Sequence, residues 1–287
     1  MAYPTWPDIN GGSLFSIFYT SLAESFGWGS VVEHTHRQAG ALTGLIVLVM
    51  TLCALLSRGV PRTWRLLAVA SLLLVIGQGL LGANRVLSNS YLGAIAHALG
   101  AQVVIVILVA MVKLTSPAFG RRAAELAGGE MFRLRLWTGV ALVLLFVNLF
   151  AAASLRHKQG AFEGHLVLGI TTAIVILSVT RLVLTRFRAH AALARNGVRL
   201  AWLVGIQVSL GAAAWLLLLG PLAGVFGSDE TRFLFQSLVA TAHLLGGVLV
   251  MSVAAALWMD AGRLSRASTQ ESVGLVTNYY PSEGEST

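Results

Sequence analysis

Polar and apolar positions along this 287-residue chain alternate on the scale of whole helices. Apolar stretches fall at about 38–57, 65–87, 91–114, 136–155, 162–185, 198–220 and 232–258, each close to the roughly 20 residues a helix needs to cross a hydrocarbon core of about 30 Å. Runs such as VVIVILVAMV (103–112) neither alternate nor stop at the length of a barrel strand. The pattern predicts an all-α integral membrane protein with seven transmembrane helices. Connections are short except for the loop at 115–135 and a polar tail, 260–287, whose ESVGLVTNYYPSEGEST composition predicts disorder. Residues 1–35 hold YPTWPDINGG and an amphipathic LFSIFYTSLAESFGW but no span.

Composition agrees with this. Hydrophobic residues make up 56% of the chain and charged ones only 11%, against about 25% charged in soluble domains, which excludes a soluble or disordered protein. The net charge of +8 does not signal nucleic acid, because the basic residues lie between apolar runs and form no stripe. One cysteine, Cys53, excludes a disulfide framework and a Cys-rich zinc site, and is expected to pack within its helix. With the N-terminus outside, Arg37, Arg85, Arg156, Lys158 and Arg232 are the outer cations. The larger inner set includes Arg58, Arg62, Arg65, Lys113, Arg121, Arg122, Arg186, Arg188, Arg195 and Arg199. The positive-inside rule therefore puts the N-terminus outside and the tail in the cytoplasm.

An internal repeat is visible. GQGLLGA (77–83) matches IQVSLGA (206–212), AIAHALG (94–100) matches ATAHLLG (240–246), and EHTHRQAGALTGLIV aligns with FEGHLVLGITTAIVI. The register pairs Gln78 with Gln207, Gly82 with Gly211, His97 with His243 and His36 with His165. It predicts two similar half-bundles, residues 1–130 and 131–259, followed by the tail at 260–287. The second copy has a longer outer loop, LLGPLAGVFGSDETR, and an extra helix, 136–155, without a counterpart before 38–57.

The repeated histidines carry the chemistry. Buried polar groups in a bilayer are costly and mark functional sites, and two imidazoles on facing helices can supply both axial ligands of a haem iron. Small residues flank His97 (Gly93, Ala94, Ala96, Gly100) and His243 (Ala240, Ala242, Gly246, Gly247), giving a macrocycle clearance beside the backbone. Glu33, His36 and Arg37 share one helical face through their i, i+3, i+4 spacing. The aligned second copy has Phe162 and Leu166 at the positions of Glu33 and Arg37. The halves are thus chemically unequal, suggesting one reactive and one electron-storing site. His34 is expected to face solvent or lipid, and His157 and His190 to lie solvated in loops. Gln78 and Gln207 fit either a bond to a porphyrin or histidine, or glue between helices. Trp6, Trp28, Trp64, Trp137, Trp202 and Trp258 fit interfacial anchoring.

VVEHTHRQAG resembles the Glu-x-x-His-Arg motif of the haem A synthase family, and GQGLLGANRVLSNSYLGAIAHALGAQ its second-histidine segment. His165 and His243 match the family's other pair, YPTWPDINGG resembles part of its first outer loop, and the likeness extends over nearly all of 3–258. The resemblance implies two four-helix bundles, here minus the first helix, in the inner (cytoplasmic) membrane. It implies that Glu33, His36, Arg37 and His97 hold the substrate haem O, with Glu33 and Arg37 catalytic, and that His165 and His243 ligate haem B. The implied reaction oxidises a methyl group of haem O to the formyl group of haem A. The implied partners are membrane lipid, a haem O synthase as supplier and haem-copper terminal oxidases as recipients, and a homo-oligomer is compatible. The cysteine pair that some bacterial members carry in the first outer loop is missing. The same residues also fit a di-haem electron-transfer protein acting on quinol, or a non-enzymatic haem-binding assembly factor.

Overall fold

The computed structural model describes residues 6, 14–16, 19–116, 128–157, 160–222 and 229–279, with side chains in the last helix up to 263 apart from those at 229–231 and 233. Most of YPTWPDINGG, the loop at 117–127, Lys158, the loop at 223–228 and the last residues of the tail lie outside the described residues. Among the described residues there are eight helices and no strand: α1 Tyr19–Phe26, α2 Trp28–Leu56, α3 Arg62–Ser88, α4 Tyr91–Thr115, α5 Gly128–Arg156, α6 Phe162–Arg186, α7 Ala191–Leu218 and α8 Asp229–Tyr279. The last seven are long and apolar enough to span a bilayer, so the chain is an all-α, multi-pass membrane protein.

Local chemistry sets the turns. Gly27 at φ 76° breaks α1 from α2, in a conformation that costs other residues more. Asn89, in the left-handed region, ends α3, and the Ser90 side chain accepts the Gly93 N–H at 3.1 Å to start α4. This tight connection fixes α3 against α4. Inside the spans, hydroxyls bond back to their own helix, as Thr51 does to the Val47 carbonyl at 2.8 Å, and Thr51 also reaches the Ala68 carbonyl on α3 at 3.0 Å. Polar groups in a bilayer must be satisfied within the protein in this way.

Helices α5, α6, α7 and α8 pack in a closed ring, each on the next and α8 back on α5, while α2, α3 and α4 form an arc that meets this ring where α4 touches α5 and α8. The ring is packed by a continuous apolar cluster that includes Leu134, Ile176, Val183, Leu200, Val250 and Leu257. The arc has a smaller one built on Ala54, Ala68 and Met111. Both clusters lie away from the histidines. The last turn of α4 is tied to the middle of α8: the side chains of Lys113 and Asp260 pair at 2.6 Å, and Asn196 donates to Asp260 at 3.2 Å.

Two expectations are corrected here. Residues 260–279, expected as a disordered tail, continue α8 without a break. A helix already nucleated by its span propagates cheaply until the sequence stops it, and Pro281 is the next helix-breaking residue. Cys53, expected to pack, is exposed on α2.

The Lys113–Asp260 pair gives a test of how the arc is held to the ring. Removing one partner of a buried pair strands the other charge, at a cost of about 3–5 kcal/mol. Asp260→Ala is expected to lower stability by about 3 kcal/mol, read as thermal unfolding of the detergent-solubilised protein. The double variant Lys113→Met/Asp260→Leu should recover most of the loss. Equal melting of wild type and Asp260→Ala would mean that the pair does not join the two parts.

Candidate functional site

Successive helices reverse direction, so His36 on α2, His97 on α4, His165 on α6 and His243 on α8, each near the start of its helix, gather at the end opposite Lys113 and Asp260. They meet as His36 with His97 and His165 with His243, the pairs that the family resemblance implies. The ring centroids of His36 and His97 stand 6.1 Å apart with planes at 83°, and those of His165 and His243 stand 6.3 Å apart at 84°. The two halves thus present the same geometry. His36 is the more exposed of the four, the others being half-buried.

The tautomer at His97 follows from its neighbour. Its Nδ1 lies 3.1 Å from the Gln78 carbonyl, and a carbonyl can only accept, so Nδ1 carries the proton and Nε2 keeps its lone pair. This is how metal-ligating histidines are oriented. In the second half the Nδ1 atoms of His165 and His243 are buried without a hydrogen-bond partner, while the rings lie toward the carbonyls of Asn148 and Gln207.

Glycines admit the rings. A Cβ on Gly82 would stand 3.4 Å from Cε1 of His97, and one on Gly211 only 3.0 Å from Cε1 of His243. One turn beyond each of these histidines, Gly100 and Gly246 seat the side chains of Gln78 and Gln207, which a Cβ would overlap. It is the backbone carbonyl of Gln78 that reaches a histidine, while its side chain packs across the hairpin with Oε1 buried and without a hydrogen-bond partner.

The pairs fit a haem iron. A metal–imidazole nitrogen bond is about 2.0–2.1 Å, which puts two imidazoles on opposite sides of one ion with centroids about 6 Å apart, the separation found in both halves. Among the described residues no three His, Cys, Asp or Glu side chains converge, so each centre offers two imidazoles, the donor set of a bis-histidine haem. Glycine clearance agrees with that fit.

The surroundings of the pairs differ sharply. Beside His36, Glu33 and Arg37 form an ion pair at 2.6 Å, with side chains only 17% and 9% exposed. The field of Arg85, in the last turn of α3, reaches both His36 and His97. In the second half Phe162 stacks on Trp215, centroids 6.5 Å apart and planes 20° from parallel, and Glu163 is exposed. The repeat register puts Ala214 opposite Arg85. One histidine pair thus sits among three charges, the other among apolar and aromatic groups.

Sequence reasoning missed Arg85, which it counted only as a topology marker; its alignment with Ala214 was the available signal. It also misread His34. Expected to face solvent or lipid, His34 is 0% exposed. Gln38 lies 3.1 Å from its Nε2, the ring meets Tyr19 edge-on at 5.7 Å, and the Tyr19 hydroxyl bonds Gln38. Helical spacing turned His34 away from the site correctly, but α1 covers that face. His157 is partly buried near Arg85 and Arg156; burial first, and then these two cations, hold its pKa below the usual imidazole value.

No curated protein and no solved structure matches the chain. The model of one family, described as cytochrome oxidase assembly protein (COX15-CtaA), matches residues 22–164. That stretch is about half of the chain and shorter than the resemblance read from the sequence. It holds Glu33, His36, Arg37, Arg85 and His97 and stops one residue before His165. With its membrane-spanning helices and the first histidine pair inside the matched stretch, the chain belongs to the cytochrome oxidase assembly protein family.

Proposed function

We propose that this protein is a haem A synthase-like oxidoreductase that oxidises a methyl substituent of haem O to the formyl group of haem A, for delivery to haem-copper terminal oxidases. One observation carries the reading: of two histidine pairs with the same geometry, only His36–His97 has a carboxylate and guanidinium groups beside it. A protein that only stores or passes electrons needs no such difference. The substrate haem is held by His36 and His97, and haem B by His165 and His243. Haem B, when bound, supplies one-electron redox chemistry.

The chain's own groups then have distinct tasks. His97, fixed by the Gln78 carbonyl, offers Nε2 in a set orientation. Arg37 and Arg85 supply positive charge suited to the carboxylates at a haem edge. Glu33, held by Arg37, accepts a proton in turn as the methyl group loses electrons to an external acceptor and takes its formyl oxygen from water. The halves divide at about residue 130, and the histidine end faces outward across the cytoplasmic membrane, with the arginine-rich turns inside.

The test is a haem extract. The protein, produced in cells that supply haem O but lack another route to haem A, is expected to yield haem A, resolved by mass in the extract of the membranes. Haem O alone, bound but unaltered, would overturn the reading in favour of a carrier.

Gly211→Ala gives a separate expectation. The added methyl presses on His243 at 3.0 Å and must turn the ring, and disturbing the orientation of a metal ligand costs about 10–100-fold in affinity. Haem B per chain, measured as pyridine haemochrome after dialysis, should fall in Gly211→Ala, while Gly82→Ala, at 3.4 Å from His97, should leave haem B in place and weaken only the substrate haem, more mildly. Full haem B occupancy in Gly211→Ala would count against His243 as a ligand.

A further inference from the structure

At the end of the bundle opposite the histidines, the turn from α6 to α7 bounds a cavity of about 390 Å³ lined by Leu184, Arg188, Ala194, Arg195, Val198 and Arg199. Three exposed arginine side chains border one open hollow whose lining is mostly apolar. Among the described residues none of them has a carboxylate within ion-pair distance, and Arg199 meets only the amide oxygen of Asn196 at 3.5 Å. Neighbouring cations are compensated, Arg186 by Glu130 at 3.4 Å and Lys113 by Asp260. Three uncompensated like charges around one hollow repel one another, and an anion seated among them relieves that repulsion.

The other wall is apolar. From Val198 an exposed strip continues along α7 through Trp202 and Ile206, residues one turn apart on a single face. Trp202 is 71% exposed, in the manner of a side chain at the edge of the hydrocarbon layer. We infer that this hollow binds an anionic phospholipid, the phosphate held by Arg188, Arg195 and Arg199 and an acyl chain lying along Val198, Trp202 and Ile206. Guanidinium forks bond phosphate oxygens in pairs, and basic pockets between transmembrane helices select acidic headgroups. A free phosphate would satisfy the arginines and leave the apolar strip unused, which is why the lipid is assigned.

The experiment uses the full chain in detergent, titrated separately with phosphatidylglycerol, phosphatidylcholine and inorganic phosphate, with bound species counted by native mass spectrometry. Wild type is expected to retain one phosphatidylglycerol in preference to phosphatidylcholine. Loss of one guanidinium should weaken retention about five-fold and loss of all three roughly 100-fold, in Arg188→Gln, Arg195→Gln and the triple variant with Arg199→Gln. Arg199 borders the Asn196–Asp260 contact, so the exposed single variants at 188 and 195 decide the matter if the triple does not fold. The control Arg58→Gln/Arg62→Gln, at the same end of the bundle, should bind as wild type does. Unchanged retention in both single variants would overturn the assignment. So would equal weakening in the control, which would mean diffuse charge, or inorganic phosphate displacing the lipid at equal concentration, which would mean a simple anion site.

Discussion

Glu33→Gln is expected to lower the formation of haem A by about 100-fold or more, the scale on which a positioned proton acceptor contributes, while both histidine pairs keep their haems. Glutamine preserves the shape of the side chain and its capacity to accept a hydrogen bond from Arg37, but it cannot take up a proton. The ion pair it replaces joins residues one helical turn apart and is largely buried, so the fold survives only because the glutamine oxygen still accepts from Arg37 and leaves no donor unpaired. The readouts are haem content per chain and the ratio of haem A to haem O in the extract. Loss of bound haem together with product would make Glu33 a structural prop for Arg37. Unchanged haem A would remove it from the chemistry.

The second large effect separates the two histidine pairs. His243→Ala leaves His165 as the only imidazole of its pair, so a six-coordinate low-spin haem should become high-spin or be lost, and total haem should fall toward a single equivalent. Substrate haem should still bind at His36 and His97, unoxidised. His97→Ala should do the reverse, keeping the low-spin spectrum of the second pair and losing both haem O and haem A. Visible spectra of the purified variants, set beside the mass of the extracted haems, distinguish these results. Identical spectra and haem losses in the two variants would mean that the pairs do not hold separate haems.

Much of this was legible before any coordinates. Seven spans follow from the length of the apolar runs, because the bilayer imposes that length and little else mimics it. Their ends were less accessible. The second helix starts at Trp28 and not near 38, and the fifth starts at Gly128 and not near 136, since helices continue past the hydrocarbon into polar residues that hydropathy does not score. The equivalence of His36 with His165 and of His97 with His243 was legible because a duplicated chain states its register twice, whereas which imidazole faces which came from the family resemblance. The remainder depended on tertiary packing that no repeat records. His34 is buried because the short α1 folds back over it, Asp260 leaves the polar tail because Lys113 waits on another helix, and Arg85 joins the first site only once α3 is laid beside α4.

The seats that Gly100 and Gly246 provide for Gln78 and Gln207 recur in both hairpins, whereas Glu33, Arg37 and Arg85 have no echo. The scaffold and the reagent are therefore written in different residues, and either can be edited without rewriting the other. Transplanting the missing charges, as Phe162→Glu, Leu166→Arg and Ala214→Arg, would retrofit the quiet half with the equipment of the active one while leaving its hinge of glutamine and glycine untouched.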